Sequence, residues 1–361
     1  MLDCHFGKWI SLEVGCDFTA RMVEMSAFIG LTFRQLQSRM KEDGLNPVHA
    51  TVVFRSLHRK GARMTNQGDR VDAWLARHPG VAPEVVRDIA SGDQVTRKFL
   101  LRLEDGRDIE TDLMGYEGRY TACESSQVGC AMGCVFCATG KMGFLRHLTA
   151  REMVAQVHFL NEHLAAEGKT PLRNVVMMGM GEPLHNFGPV IDALDVITDA
   201  RGVGIAPTRV SISTVGHIPG IQKLAALDRK YALAVSLHGV SDEERGALIP
   251  VNKRWPIRPL LEACRSYSEV TGQKVLISWT LIAGANDSDD HATRLAELLR
   301  GMKVQVNLIP LNPTEDFEGR PPSDERVLEF QRILKESGGL PVTIRQRRGI
   351  DVGAGCGQLA G

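Results

Sequence analysis

The run CAMGCVFCATG, residues 130–140, places thiols at Cys130, Cys134 and Cys137, separated by three residues and then two. Thiols spaced this closely invite metal chemistry. A structural zinc site takes four ligands, most often as two separated pairs, and the chain has no second pair: Cys4, Cys16 and Cys264 stand singly. A four-iron cluster is held by cysteine thiolates, commonly four. Three thiolates leave one iron open, and an open metal position is where substrate or cofactor binds. Two further cysteines need another role. Cys123 lies seven residues before the triplet, and Cys356 lies five residues from the C-terminus in the glycine-rich run GAGCGQLAG.

The elements that position these groups follow from pattern. The 361 residues suggest two domains, or one large one with an appendage. Hydrophobic residues make up 43% and charged residues 24%, enough for a sizeable core. The formal net charge is zero, so bulk charge predicts no nucleic-acid partner and any basic surface is local. No apolar run approaches the roughly 18 residues of a membrane span, and the start MLDCHFGKWISLEVGCDF lacks a basic head and apolar core. A cytoplasmic protein with no membrane partner is expected. Eight cysteines in such a chain favour metal or redox chemistry over a disulfide framework.

Residues 1–24 show no period and are treated as an extension of unknown structure. A small helical domain is expected over 25–95: Phe33, Leu36 and Met40 share a helix face, Asn46-Pro47 reads as a cap, Val48, Val52, Val53 and Leu57 form a second face, and Gly61 is a stop. From 96 to 361, eight apolar runs read as strands: 98–103, 120–126, 174–180, 209–214, 231–237, 274–282, 304–310 and 341–345. Helical stretches such as REMVAQVHFLNEHLAA and RPLLEACRSYSEV alternate with them. That predicts an α/β fold with a parallel sheet covered on both faces, about six βα units forming a partial barrel. Chemistry in such barrels gathers at the strands' C-terminal ends. Gly181, Glu182, Ser213, Ser236, His238, Asn312 and the cysteine loop all fall there.

CxxxCxxC after a barrel strand resembles the signature of radical S-adenosylmethionine enzymes. The motifs SSQVGCAMGCVFCATG, MMGMGEPLHN, RVSISTVGHIPGI, LAVSLHG, NLIPLNP and CGQLAG occur in the order seen in the RlmN/Cfr family of RNA adenine methyltransferases. The match runs from about residue 98 to the C-terminus, and LNPVHATVVFRSLHRKG weakly resembles that family's N-terminal helical domain. The resemblance implies a partial (β/α)6 radical SAM barrel, one [4Fe-4S] cluster on Cys130, Cys134 and Cys137, and S-adenosylmethionine bound by Gly181, Glu182, Ser213, Ser236, Leu237, His238 and Asn312. It implies methylation of adenine C2 or C8 through an S-methylcysteine at Cys356, a transient disulfide between Cys356 and Cys123, and Glu110 as proton acceptor. Its partners would be RNA, 23S rRNA or tRNA, and an electron donor such as flavodoxin or ferredoxin. Arg345, Arg347 and Arg348 in TIRQRRG put positive charge where a phosphate backbone would approach. Gly353 and Gly355 replace the family's usual aspartate and alanine. The motifs mix C2 and C8 features, so the carbon stays open. So do two other readings: the same mechanism on tRNA or a peptide, and a metal-stabilised RNA-binding protein without catalysis.

Overall fold

The computed structural model describes residues 27–59, 68–314 and 317–359. The expectations for residues 1–24, for Cys4 and Cys16, and for a stop at Gly61 lie outside them. Helix Phe33–Glu42 starts at a capping box of Thr32 and Gln35 and buries Leu36 and Met40. Asn46 accepts from the Val48 amide ahead of a short turn at Pro47–His49. Helix Ala50–His58 then buries Ala50, Val53, Phe54 and His58. Val48 is 69% exposed, because the proline turn carries it off the helix face expected for it. Helix Asp69–Ala76 buries Val71 and Trp74.

The strands in chain order are β1 (Glu84–Ala90), β2 (Thr96–Arg102), β3 (Asp108–Tyr116), β4 (Arg119–Cys123), β5 (Gln127–Gly129), β6 (Phe144–His147), β7 (Leu172–Met177), β8 (Val210–Thr214), β9 (Ala232–Ser236), β10 (Val275–Leu281), β11 (Val304–Pro310) and β12 (Val342–Ile344). All eight expected strands are present. β1 falls where helix was expected. It is an edge strand, mostly exposed, and ladder bonds to β2 hold it without the apolar alternation that would betray it in sequence.

Ten strands form one sheet in the order β1-β2-β3-β4-β7-β8-β9-β10-β11-β12. β1 to β4 pair antiparallel, and from β4 to β12 every pairing is parallel. Helices Phe187–Thr198, Ile218–Ala226, Ile257–Thr271, Asp289–Leu298 and Asp324–Gly338 connect the parallel strands, as parallel pairing requires. Helix Ala150–Ala166, capped by Thr149 and Glu152, precedes β7. β5 and β6 form a separate ribbon beside the cysteine loop. Among the described residues, no helix is long and apolar enough to cross a membrane.

The sheet is mixed, and its outer strands β1 and β12 do not pair with each other. The C-terminal segment spans part of that gap. Lys98 Nζ donates to the Gly353 carbonyl at 3.2 Å, Arg348 Nη1 to the Gly115 carbonyl at 2.8 Å, and the Gly92 amide to Asp351 Oδ2 at 2.7 Å. The same segment is pinned to the cysteine loop by the Ala138 amide donating to the Gly357 carbonyl at 2.8 Å and Thr139 Oγ1 to the Leu359 carbonyl at 2.5 Å. Cys356 is thereby drawn toward the triplet.

Candidate active site

Cys130, Cys134 and Cys137 sit on the loop between β5 and the short helix Ala138–Met142. They share a small apolar cluster with Met132, Ile249 and Trp255. Burial first, then the neighbouring thiols, pushes Cys134 well up, and burial pushes Cys130 to about 12. Among the described residues, no trio of His, Cys, Asp or Glu closes around a single metal ion. The buried cation Arg245 is fully buried and donates to Asn252 and to the Trp255, Val215 and Ser236 carbonyls. It is the positive charge that faces Cys134.

A cavity of about 870 Å³, counting the part open to solvent, adjoins this loop. Cys134, Cys137, Gly181, Glu182, Ser213, Ser236, His238, Asn312, Arg345 and Cys356 line it. The strand ends position these residues as expected. Gly181 takes φ +103°, a conformation open to glycine, and delivers Glu182. Glu182 Oε1 accepts from the Leu184 amide at 3.1 Å and Oε2 from the Val215 amide at 2.9 Å. Desolvation nonetheless pushes its carboxyl to about 7. His238 has a left-handed backbone (φ +59°) and is 2% exposed. Its Nδ1 accepts from the Thr280 amide at 2.9 Å, so Nε2 carries the proton, and burial pulls its pKa to about 3. Leu237 is fully buried in the core and does not line the cavity. Asn312 does line it, as the sequence suggested, and its Nδ2 also donates to the Cys356 carbonyl at 3.1 Å, holding the cysteine loop.

Cys123 lies within electrostatic reach of Cys356, and Glu110 lies on the neighbouring strand β3. Glu110 lies in a run that reads as solvated charge, yet it is 4% exposed and pairs with Lys98 Nζ at 2.7 Å. Cys123 is buried and Cys356 half-buried, both as free thiols. Arg345 faces both. The expected cluster is present: Arg345, Arg347 and Arg348 line a second pocket beside Cys356, with Arg345 also lining the cavity and Arg348 over the Tyr116 ring at 4.5 Å. Of the three arginines in the run, Arg347 is the exposed one.

Gly355 explains itself by close approach. A Cβ there would lie 2.5 Å from Gln358 Oε1 and 2.7 Å from Asn312 Nδ2. Gln358 Oε1 accepts from the Gly355 amide at 3.0 Å, so the missing side chain lets both amides grip the loop.

Residues 125–299 match the Radical SAM superfamily. A probable dual-specificity RNA methyltransferase RlmN 2 from Opitutus terrae is 46% identical, covering 98% of this chain and 92% of its own. Dual-specificity RNA methyltransferase RlmN 1 from Myxococcus xanthus is 49% identical, covering 88% and 89%. The chain belongs to the RlmN family. A radical SAM methyltransferase structure from Sphaerobacter thermophilus, 43% identical, superimposes with a TM-score of 0.87 over 92% of this chain and 99% of that one, which establishes the radical SAM α/β fold.

Radical SAM enzymes carry a [4Fe-4S] cluster and S-adenosylmethionine, and this site fits them. A polynuclear cluster takes one thiolate per iron, which suits three buried thiols that do not close on one ion. Buried Arg245 complements the negative charge of such a cluster. Glu182 offers a carboxylate to an ammonium beside a solvent-open cavity of ligand size. Sequence reasoning missed Lys98, Arg245 and the inward turn of Arg345. Each is a cation whose partner lies far away in sequence, and no local pattern announces that.

Proposed function

We propose that this chain methylates a ring carbon of an adenine in RNA, using Cys356 as methyl carrier and Cys123 to release the product. The observation that carries the reading is Cys356 itself. It lines the cofactor cavity with Arg345 and shares that cation with Cys123. When bound, the cluster and S-adenosylmethionine supply the methyl group and the radical chemistry that an unreactive ring carbon demands. The residues do the rest. Cys356 Sγ accepts methyl as the nucleophile. The Lys98 ammonium holds Glu110 in place as the acceptor of the ring-carbon proton. Cys123 attacks Cys356 sulfur, forming the disulfide that frees the methylated base. Gly181, Glu182, Ser213, Ser236, His238 and Asn312 line the space for the cofactor.

The substrate in this reading is an adenine of 23S rRNA or tRNA, methylated at C2 or C8 and extruded from its stack to reach Cys356. A small one-electron donor such as flavodoxin or ferredoxin completes the partner set, in the cytoplasm. Residues 96–361 form the catalytic unit, and 25–95 a smaller unit whose strand β1 extends the catalytic sheet. The test is Cys123→Ala incubated with RNA and S-adenosylmethionine under reducing conditions. A covalent protein–RNA species is expected to accumulate. Full turnover without it would remove Cys123 from the mechanism.

A further inference from the structure

Three interior positions on neighbouring strands fall in one row. Lys98 on β2 stands opposite Asp112 on β3, and Asp112 stands opposite Cys123 on β4. Directly opposed side chains share a face, with Cβ atoms about 4.5–5.5 Å apart. Glu110, two residues before Asp112, shares that face and takes the Lys98 ammonium. Asp112 is 1% exposed, and its Oδ1 has no hydrogen-bond partner among the described residues. An unsatisfied buried carboxyl oxygen is costly and calls for an explanation. The mechanism above gives Asp112 no task.

Cys123 has the complementary need. It must shed its thiol proton before attacking Cys356. Burial and then the Asp112 charge raise its pKa well above that of an ordinary thiol, with Cys356 and Glu124 adding to the rise and Arg345 opposing it. Cys123 therefore waits as a thiol. Burial and then Glu110 raise the Asp112 carboxyl well above its usual range, Lys98 opposing. That brings the acid closer to a thiol in basicity, the match proton transfer needs.

We propose that Asp112 accepts the Cys123 proton in the step that releases the methylated base. The proposal rests on the Cys123–Cys356 chemistry above. The proton of Cys123 Sγ passes to Asp112, and the freed electron pair forms the bond to Cys356 Sγ. The bond from Cys356 Sγ to the adenine-bound methylene breaks, its pair going to carbon. That carbon takes up one proton, closing the count opened by the one Asp112 received. Two sulfurs are oxidised to a disulfide and one carbon is reduced by two electrons, so no outside oxidant or reductant enters the step.

The experiment follows the lifetime of the covalent protein–RNA species in reconstituted enzyme, from neutral to alkaline pH. Asp112→Asn keeps the shape and loses the base. Its Cys356 should still become methylated, while release slows about 10²-fold and recovers as rising pH ionises Cys123 directly. Asp112→Glu keeps an acid in the row and is expected to retain release with a shifted pH profile. Wild-type release and pH profile in Asp112→Asn overturn the proposal. So does an equal loss of release in both variants with Cys356 methylation intact, which assigns Asp112 to packing. Cys123→Ala separates the layers: if it accumulates no crosslink, the Cys123 reading itself fails, and this proposal with it.

Discussion

Lys98 and Glu110 meet at 2.7 Å with side chains 14% and 6% exposed. Removing one partner from a buried pair leaves a stranded charge and costs about 3–5 kcal/mol. Lys98→Met is therefore expected to lower stability by roughly 3 kcal/mol, near the low end of that range, in denaturant unfolding; an unchanged midpoint would contradict a buried pair. Glu182 makes a separate case. Hydrogen bonds to charged groups contribute about 1.5–3 kcal/mol, so Glu182→Gln should weaken S-adenosylmethionine binding at least tenfold in calorimetric titration. Equal affinity would move the ammonium to another partner. The three cluster cysteines were legible because their spacing is local. Glu110 carried its role only through the resemblance, since a run of acids reads as solvated surface. Asp112 was opaque for the same reason: only strand register reveals that this run points inward.

The cysteine loop is held by elements rather than by its own sequence. Gly355→Ala would drive a Cβ into Asn312 Nδ2 and Gln358 Oε1 and push both amides off the loop. Reduced Cys356 methylation with iron content unchanged is the expected result, checked by mass spectrometry and iron assay; normal methylation would mean that the loop finds its place without that grip. A second contact between elements is sensitive to acid. His58 Nδ1 and His158 Nε2 lie 3.0 Å apart, joining helix Ala50–His58 to helix Ala150–Ala166. Burial lowers His58 to about 3 and His158 to about 4. Both folded values lie below the ordinary 6.5, so the unfolded chain binds protons first. Stability is then full above about pH 6.5 and falls as pH drops toward 4. The loss between about pH 7 and pH 5 should be on the order of 4 kcal/mol, about 2 from each histidine, measured by urea unfolding. His158→Gln should flatten that dependence, and an equally steep loss in the variant would place the proton uptake elsewhere. The long amphipathic helices and parallel strands were legible, because apolar periodicity is strong there. β1 and the β5–β6 ribbon were not. Edge and ribbon strands are held by backbone pairing and bury too little to leave a pattern.

For the molecule as a whole, an open mixed sheet brings residues 110, 123 and 130–137 to one end of the chain's fold, and the C-terminal segment crosses back to add residue 356. That closure was invisible in sequence, since it rests on contacts such as Lys98 to Gly353 and Ala138 to Gly357. The central claim is that the closure makes Cys356 a methyl carrier dependent on the cluster beside it. The most direct measurement is the mass of the peptide containing Cys356, from protein purified with its iron and supplied with S-adenosylmethionine and a reductant. The account predicts that this peptide is heavier by one methyl group on Cys356, and that the addition is missing when Cys130→Ala removes a cluster ligand. An unmodified Cys356 in iron-loaded protein, or the same modification without the cluster, would contradict it.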